Sequence, residues 1–171
     1  MKNITVAGGG VLGSQIAFQT AFCGFNVKIW LRSNESIGRT QPKLDRLYSI
    51  YKQTLTQAKK ELGSGKVFPR GLITDSSTVN ESDIDKLLKA VERAYKEIKL
   101  TTSLEEACTD ADLIIESMAE NLEAKIAFYK SLDPHLEEKT IVATNSSSMV
   151  PSRFRDCLSR PQKYLAIHFA N

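Results

Sequence analysis

Apolar residues fall along this chain in short unbroken runs that alternate with stretches of helical periodicity. Ile4 to Ala7 is such a run, and Gly8-Gly9-Gly10 breaks it. It predicts a short buried strand. From Val11 to Cys23 the apolar positions Leu12, Ile16, Phe18 and Phe22 predict a helix, with Gly24 placed as its C-cap. Asn26 to Leu31 predicts a second strand that ends at Arg32-Ser33-Asn34. Strand, glycine turn, helix and strand in this order supply the crossover that a parallel strand pair needs.

The next stretch departs from simple alternation. Pro42 to about Leu62 predicts a helix with a loose stripe of Leu44, Leu47, Ile50 and Leu55, closed by Gly63 and Gly65. Pro69 and Gly71 mark a loop. Ser82 to Ile98 predicts a second long helix, with Ser82-Asp83-Ile84-Asp85 as a capping box carrying Asp in place of Glu. Both helices are rich in Lys and Glu. They read as an antiparallel two-helix arm, about residues 40–98, inserted outside the sheet.

Alternation then resumes. Strands are predicted at Leu100 to Thr102, Leu113 to Ser117, Thr140 to Thr144 and Lys163 to Phe169. Helices are predicted at Leu104 to Cys108, Leu122 to Asp133 and Pro151 to Cys157. The fold class is α/β with a doubly wound parallel sheet, and residues 1–171 read as one dinucleotide-binding domain with that arm inserted.

Gly8-Gly9-Gly10-Val11-Leu12-Gly13 fits G-x-G-x-x-G between a strand and a helix, the fingerprint of the Rossmann dinucleotide site. Gly8 permits the tight turn, Gly10 lets backbone approach a pyrophosphate, and Gly13 lets helix pack on strand. The helix start offers free N–H groups to the phosphates. An NAD site usually carries Asp or Glu at the end of the second strand, for the ribose 2′-hydroxyl. This chain has Leu31, then Arg32 and Ser33. Arg32 suits a 2′-phosphate, so both NAD and NADP stay open as cofactor. Trp30 and Leu31 are placed either to flank the adenine or to join the core.

Composition removes several classes. A net charge of +3 without a basic block excludes a nucleic-acid arm. No apolar run is long enough for a membrane span or signal peptide. Cys23, Cys108 and Cys157 form no C-x-x-C pair, which predicts buried free thiols and a cytoplasmic protein. With two His and scattered Cys, no metal site is expected. No G-x-S-x-G elbow supports a hydrolase.

Three clusters follow the later strands: Glu120-Asn121-Leu122 with Lys125, Asn145-Ser146-Ser147-Ser148, and His168-Phe169-Ala170-Asn171. Each falls at the C-terminal end of a predicted parallel strand, where ligands bind in open α/β sheets. With the glycine turn and the arm, they resemble the 3-hydroxyacyl-CoA dehydrogenase family over nearly the whole chain. Asp112-Leu113-Ile114-Ile115-Glu116 leading to Glu120 and Lys125 is similar to the family's segment after its fourth strand. Asn145 to Ser148 is similar to its Asn-Thr-Ser-Ser motif. His168 to Asn171 is similar to its His-Phe-Phe-Asn motif, with Ala170 in place of Phe.

The resemblance implies that His168 is the general base at the substrate 3-hydroxyl and that Ser147 hydrogen-bonds the same oxygen and touches the cofactor. It implies that Glu120 and Lys125 line the nicotinamide–ribose side, and that Asn145 and Asn171 contact cofactor, with Asn171 also near substrate. It implies an acyl-CoA substrate, with Lys59, Lys60 or Lys66 of the arm as phosphate contacts, and a homodimer in the complete protein. The family's His-orienting Glu and its helical second domain fall beyond residue 171, so little turnover is expected from these residues alone. The alternatives are an NAD(P) sensor without chemistry, a dehydrogenase of another 3-hydroxy acid, a Lys-based hydroxyacid dehydrogenase or a flavoenzyme. Read apart from the resemblance, His168 suits a structural role, Glu120 and Lys125 an exposed helix pair, and His135 the surface.

Overall fold

A computed structural model describes residues 1–64, 71–73 and 78–169. Gly65, Lys66, Pro69, Ala170 and Asn171 lie outside the described residues. The chain runs β1 (Asn3–Ala7), α1 (Val11–Phe22), β2 (Asn26–Trp30), α2 (Asn34–Lys60), α3 (Glu81–Glu97), β3 (Lys99–Thr101) and α4 (Leu104–Cys108). It continues through β4 (Leu113–Glu116), α5 (Leu122–Leu132), β5 (Ile141–Thr144), α6 (Ser152–Arg155) and β6 (Tyr164–Ala166). All pairings are parallel and the strand order is β3-β2-β1-β4-β5-β6. The order reverses at β1, which puts the switch point between β1 and β4, above the glycine turn.

Side-chain alternation divides the core between the two faces of the sheet. Ile4, Val6 and Ile115 pack with α1, α2 and α3, whereas Ala7 and Ile114 pack with α5 and α6. Thr5, facing the second side, donates its hydroxyl hydrogen to the Ala107 carbonyl at 2.6 Å. A strand buried on both faces has to be apolar at nearly every position, which explains the unbroken runs in the sequence.

α2 and α3 pair antiparallel, because residue numbers rise along one as they fall along the other. Asp45 accepts from Tyr95, Tyr48 stacks on Tyr95 at 4.6 Å, Lys52 meets Glu92 at 2.9 Å, and Lys59 meets Asp85 at 2.7 Å. The pair is an insertion in chain order, yet it is anchored to the domain. Leu44, Leu55, Ile84 and Val91 join the first core, and Tyr51 sits edge-on to Phe18 and Phe22 of α1.

Several boundaries differ from expectation. α2 begins at Asn34, not Pro42, and Pro42 lies within it. Thr40, 1 % exposed, bonds the Ser36 carbonyl and lies under the glycine turn, so tertiary packing carries the helix through the proline. α3 is capped by Asn80 and Asp83, two residues before the predicted box. The side chain of Asn80 accepts from Asp83 N–H, and Asp83 accepts from Asn80 N–H. α1 ends at Phe22 with Cys23 as its C-cap, and Gly24, expected in that place, follows it at φ +97°, the left-handed conformation that glycine tolerates. The last strand is only Tyr164–Ala166, because Pro161–Lys163 forms a 3-10 turn before it. All three cysteines are free, but only Cys108 is buried and Cys23 is exposed. Burial pushes the Cys108 thiol up to about 11.

Candidate active site

Gly8 has φ +118°, and a Cβ there would lie 2.4 Å from the Ser117 carbonyl oxygen. A Cβ on Gly13 would lie 2.1 Å from the Gly8 carbonyl oxygen. Both glycines are thus required by backbone approaching backbone. Gly9 faces Thr40 and Leu31, with Thr40 Oγ1 only 2.1 Å from a Cβ built there. Gly10 differs, because nothing lies within 4 Å of its Cβ position. That open side, at the N-cap of α1, is the room a pyrophosphate needs. α1 has no side-chain cap and no acid in its first turn, so its N–H groups and dipole are left for an anion.

A cleft of about 570 Å³ opens above this turn. Gly8, Gly9 and Gly10 form its floor, and Trp30, Leu31 and Arg32 line it from the end of β2. Ser117 to Ala119 line it after β4, and Asn121 at the start of α5. The cleft therefore crosses β2, β1 and β4 along the C-terminal edge of the sheet. Trp30 also packs on Phe128 at 5.0 Å and donates from Nε1 to the Thr102 carbonyl at 3.3 Å. It both lines the cleft and joins the second core.

Beyond the cleft, toward β5, lies a buried charge cluster. Glu116 at the end of β4 is fully buried, and Lys125 of α5 is as well. Lys125 Nζ lies 2.8 and 2.9 Å from the two Glu116 oxygens. The carboxylate also accepts from Met118 N–H at 2.7 Å, Thr144 hydroxyl at 2.8 Å and Tyr129 hydroxyl at 3.1 Å. These donors come from a turn, a strand and a helix, so one carboxylate ties three elements together. Burial, with Glu116 beside it, raises the Tyr129 phenol above its usual range and keeps it a donor. Lys125 reaches Glu120 at 3.3 Å, and Glu120 Oε2 accepts from Ser146 hydroxyl at 2.6 Å and Ser148 hydroxyl at 2.7 Å.

The serine loop is thus clamped on both sides of Ser147, which is itself exposed. Asn145 is buried, and its side-chain oxygen accepts from Phe169 N–H at 2.8 Å. Ile167 N–H bonds the Thr144 carbonyl at 2.9 Å. Together these bonds hold the His168 segment beside the Ser147 segment, at the ends of adjacent parallel strands. His168 is exposed.

The family model of the 3-hydroxyacyl-CoA dehydrogenase NAD binding domain matches residues 3–171. The chain belongs to this family. A probable 3-hydroxybutyryl-CoA dehydrogenase of Bacillus subtilis is 29% identical over all 171 residues, which cover 49% of that protein. The human mitochondrial hydroxyacyl-coenzyme A dehydrogenase is 25% identical, again over the whole chain and 47% of its length. Among solved structures, a diketoreductase described as acting on dicarbonyl compounds superposes with a TM-score of 0.76 at 34% identity. All of this chain and 50% of that one are covered. The chain therefore spans about half the length of the relatives it matches. Among the described residues, no helix is long and apolar enough to cross a membrane.

Within this NAD-binding domain, Gly8, Gly9, Gly10 and Arg32 line the cleft. Val11 is exposed at the start of α1, Leu12 is half-buried, and Gly13 is buried against Gly8. Lys125 is no exposed helix pair: it faces Glu116 and Glu120. Lys59 of the arm is engaged by Asp85, and Lys66 and Asn171 lie outside the described residues. Glu116 was missed as a site residue. Its signal was a carboxylate closing the apolar run Leu113-Ile114-Ile115, where only a partnered charge is tolerated.

Glu120 makes a pH prediction. Burial raises its carboxyl, but the bonds from Ser146 and Ser148 and the Lys125 charge outweigh this and hold it below its ordinary value of 4.5. A depressed folded pKa stabilises above the unfolded value and loses that contribution as pH falls through the folded one. The Ser146–Ser148 clamp is therefore expected to hold at pH 5 and to loosen only once pH has fallen below the ordinary carboxyl value of 4.5. Amide exchange at Ser146 and Met149, whose N–H groups bond Thr144 and Ser146 hydroxyls, reads this directly. Loss of protection already at pH 6 would contradict it.

Proposed function

We propose that this chain is the dinucleotide-binding part of an oxidoreductase acting at C3 of a 3-hydroxyacyl-CoA. One observation carries the reading: the glycine cleft over β2, β1 and β4 opens at the C-terminal edge of the sheet, and the Ser147 and His168 loops follow the neighbouring strands β5 and β6 at that same edge. A dinucleotide with its adenosine over β2 and its pyrophosphate at Gly10 has its nicotinamide end toward those loops. The fit is supported by the open side of Gly10 and the uncapped α1 N-terminus. When bound, the nicotinamide supplies the hydride acceptor or donor.

In this reading His168 takes the proton of the 3-hydroxyl, and returns it to the carbonyl oxygen in the reverse direction. Imidazole suits that work near neutral pH. Ser147 donates to the same oxygen. Asn145 positions the His168 segment through Phe169 N–H, and Glu120 with Lys125 shapes the nicotinamide–ribose side. Asn171 is assigned to orient cofactor or substrate. The whole protein is proposed to add a helical domain, to act as a homodimer and to work in the cytoplasm, a reducing compartment that suits free thiols.

A second reading is favoured by the 34% identity to the diketoreductase: the substrate is a dicarbonyl compound without CoA. The test is reduced-cofactor oxidation by the full-length protein, offered acetoacetyl-CoA and, separately, a CoA-free dicarbonyl ester. Turnover confined to the thioester supports the first reading, and turnover confined to the ester supports the second. No turnover with either, while dinucleotide binding is intact, would leave a binding module.

A further inference from the structure

Four polar groups line the cleft near the end of β2, where an NAD site usually carries a carboxylate. Leu31 occupies the end of β2, is 3 % exposed, and points its Cδ2 under Gly9. It offers nothing to a ribose 2′-hydroxyl. Arg32 follows, and the first turns of α2 bring Ser36, Arg39 and Lys43 to the same wall of the cleft. The lining contains three cations and no carboxylate. Arg39 Nη2 donates to Ser36 Oγ at 2.8 Å, which presents guanidinium and hydroxyl side by side, and Lys43 Nζ bonds the Arg39 carbonyl. Among the described residues Arg32 has no hydrogen-bond or ion-pair partner. The nearby acid is Glu35, an exposed residue on α2 that interacts with Ser33 and Arg39 and does not line the cleft.

We propose that Arg32, Ser36, Arg39 and Lys43 form a subsite for a phosphate on the 2′-position of the cofactor's adenosine ribose, so that this chain takes NADP(H) in preference to NAD(H). The proposal rests on the dinucleotide reading above. Arginine suits such a site because its planar fork meets phosphate oxygens in pairs, while lysine adds a point charge. The lost 2′-hydroxyl acceptor and the gained cations act in the same direction. A ribose phosphate also occurs in CoA, at the 3′-position, and a substrate bound by its adenosine would present the same chemistry. Continuity with the glycine turn favours the cofactor: a pyrophosphate at Gly10 places the adenosine ribose over the end of β2.

The test is calorimetric titration of the full-length protein with NADP⁺ and NAD⁺, and then with 2′,5′-ADP, 3′,5′-ADP and 5′-AMP. NADP⁺ is expected to bind at least about tenfold tighter than NAD⁺, the scale of one charge-assisted contact. The order among the mononucleotides should be 2′,5′-ADP, then 3′,5′-ADP, then 5′-AMP. The double variant Arg32→Ala/Arg39→Ala should bring NADP⁺ to within a few-fold of NAD⁺, and Arg32→Asp should reverse the preference. Both side chains are exposed, so neither change burdens the core. NAD⁺ binding as tightly as NADP⁺ would overturn the proposal while leaving the dinucleotide reading intact. Tighter binding of 3′,5′-ADP than 2′,5′-ADP would overturn it in favour of CoA. No binding of either dinucleotide would end the underlying reading, and this proposal with it.

Discussion

Lys125→Met should cost the domain about 3–5 kcal/mol, the scale for breaking a buried ion pair by removing one partner. Lys125 and Glu116 side chains are 1 % and 0 % exposed. Methionine fills the volume of the lysine stem, so little of the loss comes from a cavity. What remains is a carboxylate with three neutral donors, Met118 N–H, Thr144 hydroxyl and Tyr129 hydroxyl, and no positive charge. The midpoint of thermal unfolding should fall by about 10 °C or more for a domain of this size. Glu120 also loses its cation, so the serine loop should lose order with it. Lys59→Met is the matched control. Lys59 makes an equally short contact with Asp85, but its side chain is 32 % exposed, and water replaces the partner. That variant should melt with the unchanged protein. If the two variants melted alike, the buried cluster would not be what ties β4, β5 and α5 together.

If His168 acts as proposed, His168→Ala in the full-length protein should lower kcat by about 10²–10⁴-fold, the usual contribution of a positioned general base. Dinucleotide affinity should change little, because the glycine turn and the β2 end lie over other strands. Asn145→Ala separates chemistry from positioning. Its carboxamide holds Phe169 N–H and so fixes the segment that carries His168. That variant should lower kcat less than His168→Ala and leave the pH profile of the reaction in place, since the base itself is retained. Unchanged turnover in His168→Ala would remove His168 from the mechanism.

Local sequence carried much of the fold. The run Ile4 to Ala7, the three glycines and the helix from Val11 set out the first crossover. Each depends on neighbours in the chain: strand apolarity, glycine conformation, helical period. Boundaries that depended on contact were harder to read. Pro42 suggested a helix start, yet α2 passes through it because Thr40 and Leu44 pack into the domain. Ser82 resembled a cap, but Asn80 holds the same relation to Asp83 two residues earlier. Lys163 to Phe169 read as one strand, but its ladder with β5 covers only Tyr164–Ala166, followed by a single bond from Ile167 N–H to the Thr144 carbonyl.

The site divides the same way. By itself the sequence determined the glycine turn, the Arg32 departure and the three clusters at strand ends, because motif and order are properties of the chain. Only the tertiary structure decided what those residues meet. It turned Lys125 from an apparent surface charge into the buried partner of Glu116, nine positions earlier, across a strand and a helix. It brought Arg39 and Lys43 from the arm to Arg32 at the cleft. The physical reason is that a charge's role is set by its desolvation and its partners. Both are fixed by the packing of strand edges and helix starts that lie far apart in the chain.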